Sequence, residues 1–270
     1  MIVYYKLRVI NADIAQQVEQ RTCNAQVISS ILIVGSIKMI NQPLCKQGFL
    51  FIKIIERFRG DRKMAKKYII FDFDGTIADT FKVVEKIGME LAPKYQVQLD
   101  TQVAREIGLK GLLHKLKFPM WMIPKILIEM KEKLTEYIKD EAVLFPGMEL
   151  VLNELSQRYT LGIVSSNSKE NIECFLKKHS VLNLFSFIHS DSSLFGKDQI
   201  LKRLCKKHQI KNQEMLYVGD EDRDIWAAKK FGVKIIAVSW GYNSKTLLTR
   251  EKPDFLIDKP QEIMLTMSSL

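Results

Sequence analysis

The chain has 270 residues, 47% of them hydrophobic, enough for one large core or two modest ones, and reads as a soluble globular protein. Its 41 Lys and Arg against 31 Asp and Glu leave a formal charge of +10, which suggests nucleic acid or an acidic membrane as partner until the excess is located. The four cysteines, Cys23, Cys45, Cys174 and Cys205, show no CxxC spacing; Cys174 and Cys205 fall in apolar-periodic stretches and read as buried, reduced thiols of a cytoplasmic protein.

The charge is unevenly distributed. Residues 1–63 hold 10 Lys and Arg against 4 Asp and Glu, so the remaining 31 and 27 leave residues 64–270 at only +4. A body of that charge, without a basic stripe interleaved with aromatics, gives little support to nucleic acid as a partner. The apolar run VISSILIVGSI at 27–37 is too short to span a bilayer. It also lies too far in, without a small-residue cleavage site, for a signal peptide, so no membrane partner is expected. Residues 13–36 sustain neither helical nor alternating periodicity, and they resemble the peptide produced by translating through a bacterial tRNA gene. Met64 stands just before the first strand signal, and RGDRK ahead of it can be encoded by purine-rich codons, as a ribosome-binding site requires. Residues 1–63 are therefore expected to be a non-native or disordered N-terminal extension, with a real basic arm as the alternative.

From residue 64 strand-like and helix-like patterns alternate. YIIF at 68–71 is an apolar strand, followed by helical stretches near 80–92, 101–117 and 122–139, with no strand between them. Pro146 and Gly147 punctuate the return, and a helix near 148–158 leads to the buried strand TLGIV at 160–164. A helix opened by Ser168, a short strand around FIHS at 187–190, and the helix KDQILKRLCKKH follow. MLYVG at 215–219, a helix ending at Gly232, and KIIAV at 234–238 complete the pattern. Apolar strands alternating with helices predict a parallel sheet covered on both faces, with the helical block at 79–145 as a separate lid.

In an open α/β sheet, ligands bind beyond the carboxyl ends of the strands. Asp72 and Asp74 follow the first strand, Ser165 and Ser166 follow TLGIV, and GDEDRD at 219–224, with Asp220, Glu221, Asp222 and Asp224, follows MLYVG. Converging carboxylates without a cation would repel one another. A hard divalent ion is the economical remedy, and carboxylate oxygens suit Mg²⁺.

DFDGT at 72–76, a strand ending in Ser165, Lys197 and GDEDRD resemble the motifs of the haloacid dehalogenase superfamily, over nearly all of residues 66–268. The resemblance implies an α/β, Rossmann-like three-layer parallel sheet, core at 64–78 and 146–270, with a helical cap at 79–145 inserted after the first strand. It implies Asp72 as a nucleophile that becomes an aspartyl-phosphate, and Asp74 as the acid that protonates the leaving oxygen and then activates water. Ser165 and Lys197 would serve the phosphoryl group, with Thr76, Ser166, Asn167 and Arg105 as substrate contacts. Either Ser165 or Ser166 could be the hydroxyl at the strand tip. Mg²⁺ would sit among Asp72, Asp74, Asp220 and Asp224, with Glu221 as a further holder of metal-bound water.

Each residue also has an ordinary reading. Asp-Gly-Thr alone is a common turn, Lys197 could be a solvated helix-start lysine, and His179 and His189 are given no role. Dehalogenases of the superfamily lack the second aspartate, so Asp74 argues for phosphoryl transfer. Mutases share both aspartates, and phosphonatases use a lid lysine, an option that Lys110, Lys115, Lys117 and Lys125 leave open. AVSWGYNSKTLL at 237–248 with PDFLIDKPQEI resembles the phosphoglycolate phosphatase-like branch. The expectation is an Mg²⁺-dependent phosphatase of a small phosphorylated metabolite, cytoplasmic and a monomer or homodimer. Set against it is a non-catalytic binding protein, which would have lost one of Asp72, Asp74, Lys197 or Asp220, or a basic adaptor acting through residues 1–63. Arg105, Lys110 and His114 are the candidates to meet a carboxylate or second phosphate.

Overall fold

The computed structural model describes residues 68–119, 121–190 and 196–268, so the expectations for residues 1–63, and Cys23 and Cys45 with them, lie outside it. The first strand, β1 (Tyr68–Phe71), is followed by a two-residue strand, β2 (Ala78–Asp79). Three helices come next, α1 (Phe81–Leu91), α2 (Thr101–Leu116) and α3 (Ile123–Glu141), and then β3 (Val143–Leu144). From there strands and helices alternate: α4 (Met148–Ser156), β4 (Thr160–Ser165), α5 (Lys169–Lys178), β5 (Phe185–Ser190), α6 (Lys197–His208), β6 (Met215–Gly219), α7 (Asp222–Phe231) and β7 (Lys234–Val238). The chain ends in α8 (Lys245–Arg250), β8 (Phe255–Ile257) and α9 (Glu262–Ser268).

Six strands form one sheet in the order β5-β4-β1-β6-β7-β8, every neighbouring pair parallel. Strand side chains alternate faces, and both faces here are apolar. Ile69, Phe71, Ile163 and Val218 point to one, where Val151 and Leu152 of α4, Phe175 of α5 and Ile263 of α9 cover them. Ile70, Val164, Tyr217 and Ile235 point to the other, against Leu201 and Leu204 of α6 and Ile225 of α7. This is the three-layer Rossmann-like arrangement expected from the sequence. The chain winds from β1 to β4 and β5 on one side, then crosses back to β6, β7 and β8 on the other. Strand order therefore reverses around β1, the position at which such sheets leave a crevice for ligand.

The helices between β2 and β3 have their own small core, in which Val83, Ile87 and Leu91 of α1 pack against Met130, Leu134 and Tyr137 of α3. Ion pairs Lys86–Glu141 and Lys133–Glu90 cross between the same two helices, and Lys94–Glu129 joins the turn after α1 to α3, but on the surface such pairs add little. The stretch read as one helix at 101–117 is broken at Gly108, where φ is +67° and a Cβ would lie 2.9 Å from an Asp222 carboxylate oxygen. Periodicity cannot show such a break, because a tertiary neighbour imposes it. The cysteine expectation needs one correction: Cys205 is buried as predicted, but Cys174 is exposed, because α5 buries Ile172, Phe175 and Leu176 and turns Cys174 to the other side. Among the described residues no helix is long and apolar enough to cross a membrane.

Candidate active site

Buried strands end where the acids begin. Phe71 closes β1 and the next residue, Asp72, is buried; Gly219 closes β6 and Asp220 is buried immediately after it. Lys197, the first residue of α6, is also buried, and its Nζ donates to Asp72 Oδ2 at 2.6 Å and to Asp224 Oδ1 at 2.5 Å. Three carboxylates, Asp72, Asp220 and Asp224, bring oxygens within 4.8 Å of one another. The solvated reading of Lys197 is thereby excluded.

The electrostatics of this group are unbalanced. Burial pushes the Asp72 carboxyl up to about 7, against the pull of Lys197 and with Asp224 adding to the push. Burial, then Glu221, Asp72 and Asp224, push Asp220 well above the ordinary carboxylate range. Burial opposes the charge of Lys197 too, but Asp224 and Asp72 outweigh it and hold the ammonium firmly protonated. One lysine cannot neutralise three buried carboxylates, and an all-oxygen cluster of this kind fits a hard divalent cation. Two further contacts hold Asp220 ready: the Thr76 hydroxyl donates to Oδ1 at 2.7 Å and the Tyr242 backbone N–H to Oδ2 at 2.7 Å. Only glycine fits at position 75, because φ is +75° and a Cβ would lie 2.2 Å from Asp220 Oδ2.

Asp74 is placed differently. It keeps partial access to solvent at the lip of the site, and the Asn167 side-chain amide donates to both its oxygens at 3.1 and 3.0 Å. The surrounding protein pushes its carboxyl up to about 6, while hydrogen bonds from Thr80 and Asn167 pull the other way. Asn167 is fixed in turn: its Oδ1 accepts from Ser168 N–H at 2.8 Å and from Asn171 Nδ2 at 3.1 Å. Its backbone N–H donates to Ser165 Oγ at 3.1 Å. Ser165 is buried at the tip of β4, whereas Ser166 is half-buried beside Asn171 and His189 on the rim of a neighbouring depression. Asn167→Ala should therefore lower kcat about tenfold with little change in KM, since Asp74 loses its orienting donor but stays in place. Steady-state kinetics on one ester decide it, and an unchanged kcat would remove Asn167 from the machinery.

The remaining candidates are distributed as follows. Thr76 points its hydroxyl at Asp220, away from a direct substrate role. Arg105, on α2, lies with its guanidinium carbon 4.7 Å over the Phe81 ring and beside Tyr242 and Asn243. Lys110, Lys115, Lys117 and Lys125 are all exposed, and none of them lines the cavity between these helices and the loops that hold Glu221 and Tyr242. Glu221 is buried and paired with Arg223, and its backbone N–H donates to Asp224 Oδ2 at 3.1 Å. Sequence reasoning gave no role to Tyr242 or Gly241, although a Cβ on Gly241 would lie 2.2 Å from Asp220 Oδ2 and the Tyr242 hydroxyl lies 2.7 Å from that of Thr80. The rule that selected the other loops applied here as well, because GYNS follows the carboxyl end of β7.

A parallel sheet whose central strand delivers one buried and one accessible aspartate, with Asp220 from the neighbouring strand's end and Lys197 and Asp224 from the first turns of α6 and α7, defines a site of the Rossmann-like α/β class. The family model described as haloacid dehalogenase-like hydrolase matches residues 69–238, and the chain belongs to that family, in its phosphoglycolate phosphatase-like branch. The chain is 31% identical over 207 residues to a phosphoglycolate phosphatase of Synechococcus elongatus, covering 75% of this chain and 97% of that one. It is 27% identical to the pyrophosphatase PpaX of Bacillus anthracis, covering 75% and 96%. A haloacid dehalogenase-like family hydrolase of Streptococcus pneumoniae shares the fold with a TM-score of 0.61 at 21% identity, covering 75% of this chain and 98% of that one.

Proposed function

We propose that the chain hydrolyses a phosphate monoester through a covalent phosphoryl intermediate on Asp72, with Mg²⁺ as cofactor. The observation that carries this reading is the buried Lys197, bonded at once to Asp72 and Asp224 beside Asp220. Asp72, Asp220, Asp224 and the backbone carbonyl of Asp74 are the groups that would hold the ion. When bound, it supplies positive charge against which carboxylates and a phosphoryl group can meet.

The side chains divide the remaining work. An Asp72 oxygen attacks phosphorus as the bond to the leaving oxygen breaks, and Asp74 gives that oxygen its proton. Asp74 then takes a proton from water, whose oxygen attacks phosphorus, and Asp72 leaves as a free carboxylate. A carboxyl at about 6 is suited to both transfers near neutral pH. Lys197 stabilises charge on the nucleophile and the incoming phosphoryl oxygens, and Ser165 stands at the strand tip where it can donate to one of them.

The division into a core at 64–78 and 146–270 and a lid at 79–145 belongs to the same reading. It is supported by the antiparallel pairing of the two connections, Ala78 with Leu144 and Asp79 with Val143, which gives the three helices a common base. A lid on such a base can exclude water from the intermediate. A cytoplasmic location and a monomer or homodimer are part of the proposal as well. The names of the relatives support phosphoglycolate as the first ester to try, and Arg105 is the cation of α2 suited to its carboxylate. Arg105→Ala should then raise KM for phosphoglycolate about tenfold while sparing p-nitrophenyl phosphate, and equal losses on both would deny Arg105 that role.

The test of the function is a panel of small phosphate monoesters incubated with the enzyme and Mg²⁺, with inorganic phosphate as the readout. Release of phosphate supports hydrolysis. Transfer of the phosphoryl group between sugar positions without free phosphate would favour a mutase, and no reaction on any ester would end the proposal.

A further inference from the structure

The helices between β2 and β3 border a half-open cavity of about 300 Å³ whose helical side is mostly apolar. Val84 of α1, Leu109 and Leu113 of α2, and Ile126 and Met130 of α3 contribute to it. Its remaining wall is polar and comes from the sheet side: Glu221 and Tyr242, on the loops after β6 and β7, and Arg223, in the first turn of α7. These loops also hold the acid cluster. Tyr242 donates its backbone N–H to Asp220, its hydroxyl meets Thr80, and Glu221 directly follows Asp220. The cavity and the candidate phosphoryl site therefore share a wall.

We propose that this cavity receives the alcohol portion of the substrate, and that the ester the site takes best carries an apolar body, an alkyl chain or ring system of about eight to twelve carbons. The proposal rests on the phosphatase reading and widens its substrate class. An engineered apolar cavity of about 150 Å³ suffices for benzene, so one of twice that volume holds a body of roughly twice that size. A charged group placed among Val84, Leu109, Leu113, Ile126 and Met130 would be left without partners, so the phosphate must stay at the acid cluster while the apolar end goes between the helices. Water finds few partners there as well, which leaves an apolar occupant the most to gain. A two-carbon acid such as phosphoglycolate would reach only the rim, where Arg105 lines the cavity over Phe81.

The test is a series of n-alkyl phosphates from propyl to octyl, turned over by the full chain with Mg²⁺, beside calorimetric binding of propyl- and octylphosphonate, which cannot be hydrolysed. The expected result is a rise in kcat/KM of about threefold per added methylene, roughly 200-fold over the five methylenes of the series, with a matching gain in phosphonate affinity. Ala104 lines the cavity, and Ala104→Phe, which fills part of it, should flatten both trends. Turnover of every ester with no dependence on chain length would overturn the cavity proposal and leave the phosphatase reading standing. No turnover of any ester, with octylphosphonate still bound more tightly than propylphosphonate, would end the phosphatase reading and keep the apolar site. Absence of both trends and of turnover would overturn the two together.

Discussion

Asp72→Asn is expected to fold as the parent chain does and to lose phosphate release by about 10⁵-fold or more against p-nitrophenyl phosphate at saturating Mg²⁺. The amide is the same size as the carboxylate but cannot attack phosphorus, so the covalent route closes. The fold should survive because Lys197 keeps its 2.5 Å partner Asp224, and because Asp72 Oδ1 makes only a local contact, accepting from Phe73 N–H at 2.8 Å. The measurement is single-turnover kinetics on protein whose melting temperature has been checked. A well-folded variant within tenfold of the parent rate would mean that Asp72 is not the nucleophile and that the covalent mechanism is wrong.

Metal removal should have the second largest effect. Asp72, Asp220 and Asp224 crowd their oxygens within 4.8 Å around a single lysine, so the metal-free fold carries repulsion that a bound cation removes. Chelation is expected to abolish turnover. Mg²⁺ at about 100 times its Kd should stabilise the chain by about 2.7 kcal/mol, a rise in Tm of roughly 5–10 °C for a domain of this size. Asp220→Asn should shrink the Mg²⁺-dependent rise, because the amide leaves the cluster one anionic oxygen donor fewer to hold the ion. Identical melting curves with Mg²⁺ and with chelator would refute the assignment of these aspartates as a cation site.

Much of this was legible in the chain alone because strong signals are local. YIIF, TLGIV, MLYVG and KIIAV are continuous apolar runs bounded by polar turns, and a strand buried on both faces needs nothing else to be recognised. KDQILKRLCKKH appears as α6 from its first residue to its last, and Ser168 caps α5 by accepting from Asn171 N–H at 3.1 Å. The two-residue strands β2 and β3 escaped, since Ala78 and Asp79 are extended only because Leu144 and Val143 lie beside them. Cys174 was misplaced because helical periodicity assigns a stripe, and one position of phase separates the buried side of α5 from the exposed one.

The site divides in the same way. The sequence by itself determined which residues stand at the carboxyl ends of the strands, because strand direction and a parallel sheet leave Asp72, Asp74, Ser165 and Asp220 no other edge to occupy. Their roles relative to one another were decided only by tertiary structure. Burial and three converging carboxylates determine that Lys197 is an ion-pair partner, and the 3.0 Å contact of Asn167 with Asp74 joins residues 93 positions apart. The approach of Gly75 and Gly241 to Asp220, and the apolar cavity above Tyr242, depend on how loops and helices distant in the chain pack together. Local patterns encode direction and burial, whereas charge balance, hydrogen-bond partners and cavity shape are properties of pairs that the chain brings together only once it has folded.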